Sequence, residues 1–379
     1  MTTESPDMDF RQPVCCIIDI DDQEISDLYP YIKEVSVDMS RDFATIGTLI
    51  FETIRDEAGN WLVQDAGSAD PLLIPWRKIV ITADFSSYTE EIMRGYIKEV
   101  KTDYPQDMSG ASVTVIAQDE SILLDRQQVR QSWSTAQDSM NDGDIAKKIA
   151  SDHQLLAQTE PGLDNVTLVA NGTYVQFMKD RAAANGYEFY VRDGTVYFKP
   201  MELESDPQAA ILVYAGSATN CLKFNVRYNG HKPDQVAITR APSTGTDMEE
   251  ETLSPNLPLL GREAADSTNR GLSPFKWNLE QSSGATASET SSRAQAKANE
   301  NAWKVEAEGE LDGALYGHVL CNYKTVTVDG VGDVYGGTYY VDQVTHRFTP
   351  QGYTQSFKLV RNAVGDNTAS RSTSRIAGV

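Results

Sequence analysis

Two stretches of this chain read as copies of one another. The first runs Gly95-Tyr96-Ile97-Lys98-Glu99-Val100-Lys101-Thr102-Asp103-Tyr104-Pro105, and the second Tyr339-Tyr340-Val341-Asp342-Gln343-Val344-Thr345-His346-Arg347-Phe348-Thr349. At one constant separation Tyr96 falls opposite Tyr340, Ile97 opposite Val341, Val100 opposite Val344 and Tyr104 opposite Phe348. After a turn an alternating segment continues at that separation, with Val113 and Val115 opposite Phe357 and Leu359. Alternation broken by a turn is the pattern of a β-hairpin, here used twice. In both copies the apolar phase slips, since Ile97 to Val100 and Val341 to Val344 step by three where a regular strand steps by two. A β-bulge shared by the copies accounts for the slip. Two related β-units in one chain let three subunits present six similar units. The competing reading is chance likeness between two amphipathic strands.

At 379 residues the chain has room for about two or three domains, each with its own core. With 40% hydrophobic and 23% charged residues it has the composition of a folded protein. The net charge of −22 argues against coating nucleic acid or an anionic membrane, which takes clustered Lys and Arg. That charge serves solubility, or the lining of an acidic lumen that does not retain passing cargo. Cys15, Cys16, Cys221 and Cys321 show no metal-ligand spacing and call for no oxidising compartment. The acidic, polar stretch Met1 to Asp9 is unlike a signal peptide, and no run reaches the roughly 20 apolar residues of a membrane span. A cytoplasmic place of synthesis and assembly is expected.

The chain divides by texture. Residues 1–125 form a first β-unit, with Lys33, Val35, Val37 and Met39 on one strand face and further strands at Leu49 to Ile54 and Lys78 to Phe85. Residues 126–204 are an α+β module. Its first helix lies within Ser139 to Leu156, and its second starts at a capping box of Thr173 and Gln176 and stops at Asn185-Gly186. A hairpin follows, turning at Asp193-Gly194. Residues 205–365 return to β, with Leu222, Phe224, Val226 and Tyr228 on one face. Pro242 to Ser292 is a long polar stretch read either as an arm to a partner or as a solvated excursion. An Ala-rich helix is expected over Ala287 to Glu308, with Ala294, Ala298 and Trp303 near one face. Residues 366–379 form a tail without a core pattern. The fold class is thus mainly β with an α+β insertion.

Met93-Arg94-Gly95-Tyr96-Ile97, the Asp144-Ile145-Ala146 helix, Phe177 to Tyr190, and Gly337 to Val341 continuing through His346 to Arg361-Asn362 follow one another in an order that resembles the late control protein D family. That family comprises the tail hubs of contractile phages and phage-like injection systems and is similar to the hub portion of VgrG spikes. The likeness spans Val14 to Ala363. It implies two tail-tube-like β-barrels flanking the α+β insertion, in a homotrimer that joins a sixfold tail tube protein to a threefold spike alongside other baseplate proteins. VgrG chains continue into a further barrel and a needle. This chain stops at Val379, so the resemblance implies a separate spike protein.

The residues themselves point to no catalytic group, no cofactor and no metal. His153, His231, His318 and His346 are widely separated and lack zinc spacing, and Thr102 stands in the first copy where His346 stands in the second. Gly330-Val331-Gly332 leads into a strand, so no helix N-terminus awaits a phosphate. Asp19, Asp21 and Asp22 lack the glycine and distal Glu of a calcium loop, and no Gly-x-Ser-x-Gly elbow is present. The expected function is a structural baseplate hub without enzymatic activity, without stable nucleic-acid binding and without a membrane span. A carbohydrate-binding β-protein of a phage tail and a peptidoglycan hydrolase are the alternatives. The residues expected to bind a partner are Arg371 and Arg375, which would meet an acidic surface and order the tail.

Overall fold

In the computed structural model, which describes residues 13–67, 70–106, 110–135, 139–165, 168–240, 249–279 and 286–368, the alternating segments become strands whose inward positions are buried. The first set is β1 (Cys15–Ile20), β2 (Ile32–Ser40), β3 (Ile46–Thr53), β4 (Lys78–Asp84), β5 (Thr89–Asp103) and β6 (Ala111–Asp119). Val35, Val37, Leu49, Phe51, Ile79, Ile81, Val113 and Val115 meet in its core, all fully buried. Every second residue faces inward, as a pleated strand with one covered face requires.

The middle module contains β7 (Val129–Ser134), α1 (Asp142–Asp152), β8 (Leu156–Thr159), β9 (Leu168–Gly172), α2 (Tyr174–Asn185), β10 (Glu188–Arg192) and β11 (Thr195–Lys199). Its helix ends follow local chemistry. Asn141 accepts from the Asp144 amide at 2.8 Å to start α1, and Thr173 accepts from the Gln176 amide at 3.3 Å to start α2. Gly186, at φ 68°, takes the left-handed position that ends α2. Asp193 and Gly194 both adopt positive φ in the tight turn joining β10 to β11. Ile145, Ile149, Phe177, Met178, Val196 and Phe198 form a core separate from that of the first set.

The remaining elements are β12 (Gln208–Leu212), β13 (Cys221–Tyr228), β14 (Gln235–Arg240), β15 (Glu249–Leu253), β16 (Lys276–Leu279), α3 (Ala287–Asn301), β17 (Val305–Asp312), β18 (Thr325–Asp329), β19 (Gly337–Thr349) and β20 (Gly352–Arg361). The Ala-rich helix is shorter than expected. It ends at Asn301, and Val305 to Glu308 open β17, because Val305, Ala307 and Leu311 alternate into a sheet. Ala294 and Ala298 are fully buried as expected, against Val236 and Ile238 of β14. Where described, the polar stretch folds back onto this helix, with β15 and β16 flanking β14.

Strands of both sets join one sheet of 13 strands. Within the first set the neighbours run β1-β4-β5-β6-β3-β2. Within the second they run β12-β18-β19-β20-β17-β13. Numbered in chain order, the six strands of each set therefore lie side by side in the same sequence. Irregularities recur as well. The β5–β6 pairing slips between Ile97 and Glu99, and the β19–β20 pairing between Val341 and Gln343, which places the shared bulge where the apolar phase indicated. A second matched slip falls between Ile32 and Glu34 in β2 and between Cys221 and Lys223 in β13.

Two differences separate the copies, and one departure from a closed barrel is common to both. The first strand runs antiparallel to its neighbour in one set and parallel in the other. The turn between β5 and β6 is longer than that between β19 and β20, so Val115 rather than Val113 corresponds to Phe357. Among the described residues no pairing joins β1 to β2 or β12 to β13, so neither set closes into a barrel by hydrogen bonding.

Candidate functional site

The hairpin copies differ in what lies on their outer edge. Beyond its bulge, β19 is clamped by β2, antiparallel, with Val344 opposite Met39, His346 opposite Val37 and Phe348 opposite Val35. Side chains add an Arg347–Glu34 ion pair at 2.6 Å and a Thr345 hydroxyl donating to Asp38 at 2.6 Å. This seam joins the two sets. Val344 and His346 are consequently fully enclosed. In the first copy the corresponding run of β5, Glu99 to Asp103, pairs with β6 on one side and with no strand on the other among the described residues. Val100 is half-buried there, Thr102 is exposed and Tyr104 is 50% exposed.

A junction of all three parts sits at the end of the seam. Arg41, just past β2, donates to Glu188 of β10 at 2.9 Å and to Asp342 at the β19 bulge at 3.1 Å, and its guanidinium lies 5.3 Å from the Tyr340 ring centre. The Tyr340 hydroxyl donates to the other Glu188 oxygen at 2.6 Å. Burial raises the Glu188 carboxyl above its ordinary range, and the Arg41 charge opposes that rise. Tyr323 stacks on Tyr190 at 3.9 Å and donates to backbone carbonyls of Ser40 and Arg41. At the other end of the seam, Glu90 contacts the His318 Nδ1 at 2.9 Å and accepts from the Val319 amide at 2.6 Å, while the Tyr88 hydroxyl donates to the Gly317 carbonyl. These contacts tie the two sets and the middle module together. No local pattern marks Arg41 or Glu188 in the sequence, because their meaning arises only where distant segments converge.

The four histidines are not brought together. His153 lies edge-on to Tyr174, His231 stacks on Phe275, His318 meets Glu90, and His346 is sealed in the seam. Burial pushes the His346 imidazole down to about 3, and its Nδ1 lies 2.8 Å from the Tyr353 hydroxyl. Asp21 serves a turn, accepting from Arg77 at 2.6 Å and from the Lys78 amide at 2.9 Å. Gly330 and Gly332, both at positive φ, shape the connection from β18 to β19. No cluster of three or more potential metal ligands occurs among the described residues, and no described helix is long and apolar enough to cross a membrane. Arg371 and Arg375, expected to bind a partner, lie outside the described residues. The start of the tail is described: Ala363 and Val364 pair with Glu263 and Ala264, and Asn367 accepts from the Thr338 amide at 3.0 Å.

The fold and the seam define a protein of mainly β structure built on a duplicated six-strand unit with an inserted α+β module. A family model described as the Alg8 N-terminal domain matches residues 12–350, and the chain belongs to that family. A search of curated proteins returns no match. Among solved structures the chain is similar to the 43 kDa tail protein of prophage MuSo2 from Shewanella oneidensis, with a TM-score of 0.67 at 11% identity over 93% of this chain and 99% of that one. It is also similar to a tail protein from Neisseria meningitidis MC58, with a TM-score of 0.63 at 10% identity over 93% and 98% of the two chains. The E. coli c3393 protein, described as a component of the type VI secretion system, gives 0.53 at 11% identity over 92% of this chain and 77% of that one. At such identities the likeness is one of fold.

Proposed function

We propose that this chain is a structural baseplate hub of a contractile phage tail or phage-like injection particle, of the kind the late control protein D resemblance implies. The observation that carries this reading is the recurrence of one strand order, with matched bulges, in two sets fixed to each other by a seam. A homotrimer of such a chain offers six similar tube-like β-units to a sixfold tail tube, while its middle modules and tails repeat three times for a threefold spike. The buried, hydrogen-bonded junction at Arg41, Glu188 and Tyr340 suits a part whose task is geometric.

In this reading residues 1–125 and 205–365 are the two tube-facing domains, residues 126–204 the middle module, and residues 366–379 a tail that carries Arg371 and Arg375 to the spike. The role is non-enzymatic and needs no cofactor, and the parent particle forms in the bacterial cytoplasm. Imaging the parent particle with this subunit labelled tests the proposal. The label is expected between tube and spike at the baseplate, and a label on fibres or sheath overturns it. A purified chain that cleaved peptidoglycan would favour the hydrolase alternative instead.

A further inference from the structure

The seam inside the chain supplies a template for a contact between chains. One side of it is the run of β19 after the bulge, and its counterpart in the first set is Glu99 to Asp103 of β5, which pairs with β6 on one edge and with no strand on the other among the described residues. The other side is β2, whose counterpart in the second set is β13. Among the described residues β13 is the terminal strand of the sheet and pairs with β17 alone. The chain thus carries one satisfied seam and both halves of a second, which do not pair with each other within the chain.

Matching the shared bulges aligns β13 with β2, so that Phe224 stands for Val35, Val226 for Val37 and Tyr228 for Met39. The burial difference follows the missing neighbour. Val35, Val37 and Met39, on the strand that β19 pairs with, are buried in the core of the first set, whereas Phe224, Val226 and Tyr228 are only half-buried. Exposed apolar side chains occur near both halves: Trp76, whose amide donates to the Ile97 carbonyl of β5, is 47% exposed, and Tyr214 before β13 and Leu222 within it are 86% and 59% exposed. An unpaired strand edge with such side chains is a template for another strand.

We propose that β13 of one copy adds to the free edge of β5 in a neighbouring copy, antiparallel and in the register of the internal seam; this rests on the trimeric reading above and supplies its closing contact. Transferred residue by residue, the register places Val100 opposite Tyr228, Thr102 opposite Val226 and Tyr104 opposite Phe224. The ion pair of the internal seam reappears with its signs exchanged. Arg347 and Glu34 of the internal seam correspond to Asp103 and Lys223. Lys101 and Arg227 fall opposite each other, and each keeps its own carboxylate, Glu99 at 3.5 Å and Glu306 at 2.5 Å. Repeating the step closes a ring in which internal seams alternate with contacts between copies. The occupant of each free edge is a second copy of this chain, through main-chain pairing that an edge strand offers.

The test uses the full chain with its native cysteines replaced and one new pair introduced. Thr102→Cys with Val226→Cys places Cβ atoms about 5 Å apart across the contact, close enough to bridge. Thr102→Cys with Phe224→Cys is one pair out of register, about 7 Å or more apart, and serves as control. Mild oxidation is expected to give covalent dimers and trimers from the first pair and little from the second. A trimer by mass that yields no product from the first pair, or equal product from both, overturns the inference and leaves the hub reading standing. A chain that stays monomeric by mass overturns both. A second arm needs no cysteine. Asp103→Lys is expected to weaken assembly on the order of tenfold, and adding Lys223→Asp to restore it. Failure of the double variant to recover, with each variant folded by circular dichroism, counts against the contact.

Discussion

Protonating His346 should loosen the fold, and the size of the effect follows from its burial. The ring is fully enclosed between β2 and β20, with the Tyr353 hydroxyl at Nδ1 and no hydrogen-bond partner for Nε2 among the described residues. Burial, resisted by the nearby Leu320 backbone and helped by a smaller push from the Arg192 charge, moves its pKa from 6.5 down to about 3. A histidine with a depressed folded pKa binds its proton more readily in the unfolded chain. Its contribution is therefore complete above pH 6.5 and shrinks as the pH falls toward 3. Between pH 7 and pH 5 the loss comes to about 2 kcal/mol, at about 1.4 kcal/mol for each unit below the unfolded pKa. Carboxylates also titrate at low pH, so the test is differential. His346→Gln keeps a polar group beside Tyr353 and cannot titrate. Urea unfolding of both proteins at one fixed concentration should show the parent more stable at pH 7, with that advantage smaller by about 2 kcal/mol at pH 5. A stability gap that stays constant from pH 7 to pH 5 would refute the reasoning.

Three other perturbations probe the frame around the seam. Arg41→Met leaves Glu188 buried beside Tyr340 without its cation and should cost about 3 kcal/mol in chemical denaturation; pairing it with Glu188→Gln should recover part of the loss, and an additive double variant would contradict the junction. Gly95→Ala sets a Cβ 2.0 Å from the Gln118 carbonyl oxygen in the β5–β6 hairpin, so about 1–3 kcal/mol of destabilisation is expected, against a neutral result if that approach were loose. Arg361→Met removes a buried guanidinium that donates to the carbonyls of Leu260, Gly336 and Gly365, and a melting temperature lower by several degrees is expected, with an unchanged melt arguing against those bonds.

How much of this could be seen in the residues depends on how local the cause was. Both ends of α2 and the turn at Asp193-Gly194 were legible, since a capping side chain or a positive φ is settled by a few neighbouring residues. The bulge was legible because it leaves its mark in both copies as the same slip of apolar phase. The register beyond the turn was misjudged by two residues, as turn length is free to vary once the strands are paired. Helix and strand were confused at Val305 to Glu308 because an Ala-rich helix runs into an alternating strand after only a short break. The likeness of strand order could not be read off at all. β2 and β13 share almost no residues, and their equivalence rests on which strands they lie beside. Arg41 and Glu188 were missed for the same reason, being ordinary surface residues until three distant segments meet. The role expected of Arg371 and Arg375 falls in the undescribed tail and stays a proposal.

The claim at the centre of this account is that duplication within the chain serves threefold assembly. Sedimentation equilibrium of the purified chain, followed by electron microscopy of the same sample, tests it directly. The account predicts a particle three times the 41.8 kDa chain mass, appearing in projection as a ring with threefold symmetry and six similar lobes. A monomer at tens of micromolar, or a twofold dimer, would contradict it.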